Sequence, residues 1–278
     1  MEFLTRSASV RDRIRNWRAA GERVALVPTM GTLHKGHMSL VAEAQERADR
    51  VVVSIFPNPD EREAPTLEAD RELLQKIGAS VTFAPPLQEI YPFGRESAAT
   101  VNVAALADML EGTYRPGYFC HAATLLTKLF NLIKPDAALF GERDFQQLVM
   151  VRRLVDDFFL SIDVVGCATL RDGDGLAVAG ANRHFTAQER ALAPQLYAIL
   201  GGIAAKIDAG AHDYEQLQAQ GMDALAAAGF APQYVAIRQA VDLAPVRAGV
   251  RDLVVLAAVR LNAHRLIDNL RVRLIDRY

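Results

Sequence analysis

Cysteine is scarce in this sequence. Two occur in 278 residues, Cys120 and Cys167, far apart and without CxxC or Cys/His ligand spacing. That excludes a disulfide scaffold and a zinc ribbon, and the plain expectation is two reduced thiols in a cytoplasmic protein. Net charge is equally scarce, since 31 basic and 33 acidic residues leave −2. No global field draws such a chain to nucleic acid or to a membrane, and no run of one sign makes a tail. Nothing approaches the roughly 20 uninterrupted apolar residues of a membrane span. The opening MEFLTRSASVRDRIRNW repeats Arg but lacks the apolar core of a secretory signal. Repeats and low-complexity stretches are missing as well.

What remains is an ordinary globular composition, 51% hydrophobic, in a chain long enough for two domains. Over the first two thirds, short apolar runs alternate with longer amphipathic ones. Strands are expected at Val24–Val27, Val51–Phe56, Ser80–Phe83, Ala137–Phe140 and Ile162–Val165. Helices are expected at Met38–Ala48, Leu67–Ile77, Ala123–Ile133 and Phe145–Phe158. Such alternation builds a parallel sheet with helices on both faces and right-handed crossovers. Near Thr169 the texture changes. Arg171–Asn182, rich in Gly and Asp, reads as a long loop or linker. Thr186 with Glu189 three residues on is a capping box. Helices over Ala187–Ala209 and Tyr214–Ala228 follow, then strands at Tyr234–Ile237, Leu253–Val259 and Arg265–Leu270. The expected architecture is α/β: a Rossmann-like domain over residues 1–169 and a smaller α+β lid over 170–278.

The sharpest motif is PTMGTLHKGHMSLV, Pro28–Val41, behind a strand and opening a helix. Ligands of parallel α/β folds bind at the carboxyl ends of strands, and anions sit at helix N-termini. Gly31 and Gly36 let backbone approach phosphates. His34 and His37, three residues apart, share one helical face. Two imidazoles aimed at a phosphate can donate hydrogen bonds to charge developing in a transition state. The competing reading is that one histidine caps the helix and the other is incidental.

Further segments carry a resemblance in a fixed order: SIFPNP (Ser54–Pro59), LEGTYRPGYF (Leu110–Phe119), TKLFNLIKPDAALFGERDFQQL (Thr127–Leu148), DGLA (Asp174–Ala177) with Asn182-Arg183, and RLIDN (Arg265–Asn269). With HxGH they span nearly the whole chain, which resembles the pantothenate synthetase family. The resemblance implies ATP and Mg²⁺ as cofactors, pantoate and β-alanine as substrates, and a homodimer. It implies an acyl-adenylate formed from pantoate, from which β-alanine displaces AMP. By the same resemblance, His34, His37 and Arg143 are catalytic. Pro28, Thr29, Met30, Gly36, His37, Gly141, Asp144 and Val178 surround the nucleotide. Met30, Asn58, Glu61 and Gln147 face the substrates. No residue is assigned to a protein-held metal.

The chain departs from the family pattern around this pocket. Ala179-Gly180-Ala181 stands where the family has Ser-Ser-Arg, so two hydroxyls and a guanidinium are absent; Arg171, Arg183 and Arg143 are the candidates to replace them. Arg143 replaces a lysine, and the two differ in geometry and hydration. Glu61 replaces a glutamine, placing a carboxylate where a carboxylate substrate is expected. His121-Ala122 replaces Gly-Val, with His121 read as a helix-start residue. These departures leave open a ligase with a different acid or amine, or a nucleotide-binding protein without ligase activity. A plain nucleotidylyltransferase, which the HxGH pattern alone allows, is the remaining reading.

Overall fold

The computed structural model describes residues 1–57 and 67–274. Two compact units emerge: Met1–Gly141 with Met150–Ala168, and Glu142–Val149 with Thr169–Tyr278. In chain order the first holds β1 (Glu2–Leu4), α1 (Ser7–Ala19), β2 (Val24–Thr29), α2 (Lys35–Arg47), β3 (Arg50–Ile55), α3 (Leu67–Ile77) and β4 (Val81–Phe83). Short helices α4 (Leu87–Ile90) and α5 (Glu111–Tyr114) precede α6 (Tyr118–Ile133) and β5 (Ala137–Gly141). Helix α7 (Phe145–Asp157) leads to β6 (Asp163–Cys167).

These six strands form one sheet in the order β1-β4-β3-β2-β5-β6. Every pairing is parallel. The central strands read as unbroken apolar runs because both faces are covered. Ala25, Val27, Val51, Val53, Ala137 and Leu139 pack with Leu40, Val41 and Ala44 of α2 and Leu74 of α3. Residues of opposite parity, Val24, Leu26, Val52 and Ala138, are equally buried.

The second unit holds α8 (Ala187–Leu192), α9 (Gln195–Asp208), α10 (Tyr214–Ala227) and strands β7 (Ala231–Gln239), β8 (Asp252–Leu261) and β9 (His264–Arg273). Its sheet is antiparallel, with β8 central. Leu196, Leu200, Ile203 and Ile207 of α9 and Leu217 and Leu225 of α10 join Val235, Ile237, Leu253, Val255, Ala257 and Val259 in one apolar core. Gly221 lets α10 lie close, since a Cβ there would stand 2.7 Å from Ile203 Cδ1 and 3.1 Å from Val235 Cγ1.

Several expectations need correction. The single helix expected over Ala187–Ala209 is two, broken at Ala193-Pro194. Pro194 has no N–H to give a carbonyl one turn back. Helix α6 begins at Tyr118, five residues earlier than expected, behind Gly117 at φ 79°. His121 therefore lies exposed in its first turn. The edge strand β1 and helix α1 were not anticipated. Three residues are too few to show a period, and α1 buries only Val10, Ile14 and Trp17 among its charges.

Candidate active site

The strand order fixes where a ligand belongs. From β2 the chain steps outward through β3 and β4, then returns to lay β5 and β6 on the other side of β2. The reversal falls between β2 and β5, and the crevice outside the carboxyl ends at such a switch point is the standard ligand position. Strand β2 ends in Pro28-Thr29 and β5 ends in Gly141. Three residues that the sequence offered for the nucleotide thus lie on adjacent strand ends. Met30 follows β2 and is 38% exposed.

Between Met30 and α2 the backbone turns through two left-handed residues, Gly31 at φ 92° and Thr32 at φ 55°. A threonine in that region is strained, and surrounding structure must hold it there. Asp70 does so. This carboxylate on α3 is 1% exposed and accepts from Thr32 N (2.8 Å) and Leu33 N (2.7 Å). Sequence reasoning missed Asp70. A signal existed: Leu67, Asp70, Leu74 and Ile77 have the spacing of a core-facing stripe, with one charge inside it.

His34 is the N-cap of α2, and the cap is built from both histidines. His34 Nδ1 accepts from Gly36 N at 3.1 Å, and His37 Nδ1 accepts from His34 N at 3.3 Å. The rings lie 4.1 Å apart, centroid to centroid. Both histidines therefore serve the cap and neither is incidental to it, which has a chemical consequence. A neutral imidazole carries one proton, and a nitrogen that accepts cannot hold it. With both Nδ1 atoms accepting, both protons sit on Nε2. Cap and motif together thus present a pair of Nε2–H donors at a helix N-terminus, beside the positive end of its dipole. Both rings are half-buried.

Among the described residues, the candidates Arg143, Asp144, Gln147 and Val178 belong to the second unit. After Gly141 the chain makes a 3-10 turn, Glu142–Asp144, and enters α7 with Gln147 half-buried in its first turn. Arg143 Nη2 reaches Asp144 Oδ2 only at 3.3 Å, and Arg143 Nε is buried without a hydrogen-bond partner in this structure. Asn269 of β9 donates through Nδ2 to both Glu142 O (2.8 Å) and Arg143 O (2.9 Å).

The Gly/Asp-rich stretch expected as a long loop closes on itself instead. Val178 N donates to Leu170 O and Asp172 N to Leu176 O, each at 2.9 Å, with Gly175 at φ 92° in the turn. Arg190 bonds both Asp172 and Asp174, and its hydrogen bond is the main reason the Asp174 carboxyl is held below its usual pKa. Arg171 is committed: it grips Asp268 with two bonds of 2.7 and 2.8 Å and stacks 3.6 Å over Tyr197. Ala179 precedes the 3-10 turn Gly180–His184 and makes no side-chain cap bond there. Arg183 is exposed, with Nε donating to His184 Nε2 at 3.0 Å. Asn58 and Glu61 lie outside the described residues.

A family model described as pantoate-beta-alanine ligase matches residues 2–271. A pantothenate synthetase from Nitrosococcus oceani is 45% identical over 282 residues, covering 99% of both chains. A pantothenate synthetase crystal structure from Thermus thermophilus superposes with TM-score 0.88 at 38% identity, over 97% of this chain and 99% of that one. Another, pantoate-beta-alanine ligase from Francisella tularensis in complex with beta-gamma ATP and beta-alanine, has TM-score 0.78 at 28% identity and covers 97% of each chain.

Proposed function

The chain belongs to the pantoate-beta-alanine ligase family, and we propose that it condenses pantoate with β-alanine, using ATP, by way of an acyl-adenylate. The observation that carries this reading is the paired use of His34 and His37 at the helix N-terminus that follows β2, where each Nδ1 accepts a backbone N–H and the ring proton falls to Nε2. The Francisella relative, which holds beta-gamma ATP and beta-alanine, supports the substrate set.

His34 and His37 suit an ATP phosphate, as two donors at the positive end of a helix; Arg143, whose buried Nε has no acceptor in this structure, suits an anion in its own right. In the first step a pantoate carboxylate oxygen attacks the α-phosphorus. The α–β anhydride bond breaks, and pyrophosphate leaves with its electrons. The two imidazoles donate to the α-phosphate oxygens as charge builds there. Arg143 balances the departing pyrophosphate. Pro28, Thr29, Met30, Gly36, Gly141, Asp144 and Val178 surround the nucleotide, with Asp144 accepting from ribose hydroxyls. In the second step the β-alanine amine attacks the acyl carbon, the C–O bond to AMP breaks, and the amine gives up a proton. Gln147 orients pantoate, while Asn58 and Glu61 face the acid and the incoming amine.

Mg²⁺ comes with ATP, screening its phosphates. No group of three or more His, Cys, Asp or Glu that could hold a metal occurs among the described residues, and a nucleotide-bound Mg²⁺ keeps mostly phosphate and water ligands. Homodimeric, cytoplasmic operation completes the reading; among the described residues no helix is long and apolar enough to cross a membrane.

The test omits each reactant in turn from ATP, Mg²⁺, pantoate and β-alanine. Pyrophosphate should form without β-alanine, in an amount close to the enzyme present. AMP and pantothenate should accumulate only in the complete mixture. No product from protein shown to be folded would turn attention to a different acid or amine.

A further inference from the structure

We infer that Asn269 is a positioning residue for ATP binding: it fixes the backbone of the turn that carries Arg143 and Asp144. The inference rests on the ligase reading, because the turn matters only if those two residues serve the nucleotide. The RLIDN segment that contains Asn269 has no role in the chemistry described so far.

Asn269 is 7% exposed, and its two amide hydrogens go to consecutive carbonyls, Glu142 O and Arg143 O. A 3-10 turn has weak internal hydrogen bonds, so an external donor pair governs its shape more than it would a helix. Two hydrogens on one planar nitrogen suit two neighbouring carbonyls; a carboxylate in the same volume would oppose them with lone pairs. Asn269 is itself held. Its backbone N donates to Asp268 Oδ1 at 2.8 Å. Asp268, 5% exposed, takes both Arg171 bonds. Arg171 also donates to Gly175 O at 3.1 Å. One buried polar chain therefore runs from the turn, through β9, into the hairpin that carries Val178. Such fully connected networks fix geometry rather than add much stability.

Asn269→Asp changes the hydrogen-bonding sense while keeping the shape. The expected result is a rise of roughly tenfold or more in KM for ATP, matched by a similar loss in ATP affinity measured by calorimetry. KM for β-alanine should stay within about twofold. Asn262→Asp is the control, since Asn262, between β8 and β9, donates through Nδ2 to Glu189 of α8, away from the 3-10 turn. It should lower the melting temperature while leaving KM for ATP unchanged. If Asn269→Asp does not fold, Asn269→Ala removes the donors without adding charge and should show the same ATP-selective loss. Wild-type ATP affinity in a folded variant would overturn the inference, as would equal loss for every substrate. A wild-type protein that makes no AMP would instead strike at the ligase reading itself.

Discussion

His34→Asn and His37→Asn each lower the rate of AMP formation by about a hundred- to a thousandfold while leaving the fold intact, the scale seen when one donor to a developing oxyanion is removed. Asparagine is the informative replacement because of how the two rings are used. Each Nδ1 accepts a backbone N–H, and the cap of α2 depends on those two bonds. An asparagine carbonyl can take over at the Nδ1 position, and Asn is among the best N-cap residues. What it cannot supply is the donor on the far side of the ring. Melting temperature should therefore change little while turnover collapses. Glutamine makes the opposite exchange: its amide reaches toward the Nε2 position and gives up the cap. His34→Gln should retain more activity than His34→Asn but melt earlier. If both donors serve one phosphate, as proposed, the double asparagine variant should lose much less than the product of the two single effects. Equal activity in His34→Asn and wild type would reduce the pair to a helix cap.

Asp70→Ala is expected to cost both stability and rate. Two backbone N–H groups, on Thr32 and Leu33, lose a buried charged acceptor. Leaving buried donors unsatisfied costs on the order of 1–3 kcal/mol each. Freed from Asp70, Thr32 relaxes from its left-handed conformation, and the backbone leading into His34 shifts with it. A displacement of about 1 Å is enough for about a hundredfold loss in rate. Asp70→Asn keeps one acceptor and should fall between Ala and wild type in both respects. Steady-state rates at a temperature where each variant is fully folded separate the two effects. A rate loss explained entirely by the unfolded fraction would leave Asp70 a purely structural residue.

How legible a feature is in the sequence depends on the range over which it is encoded. The parallel sheet was legible because its strands are apolar on both faces and each lies beside a helix with 3.6-residue spacing. His34 and His37 were legible because a motif of four residues sits between a strand and a helix. The switch point between β2 and β5 was not, since strand order depends on pairings that no local pattern specifies. Asp70 and Asn269 were missed for a related reason. Each bonds to backbone, 37 and 38 residues away for Asp70, 126 and 127 for Asn269, and a backbone group leaves no trace in side-chain identity. Arg143, Arg171 and Arg183 looked alike in sequence. Structure separates them: Arg171 is bound to Asp268, Arg183 is exposed, and Arg143 keeps a buried nitrogen without an acceptor.

The most direct test follows oxygen. Pantoate labelled with ¹⁸O at both carboxylate positions is turned over with ATP, Mg²⁺ and β-alanine, and the products are weighed by mass spectrometry. An acyl-adenylate predicts one ¹⁸O in the phosphate of AMP and one in the new amide carbonyl. Unlabelled AMP would contradict the account, and ADP with labelled phosphate would show attack at the γ-phosphorus instead.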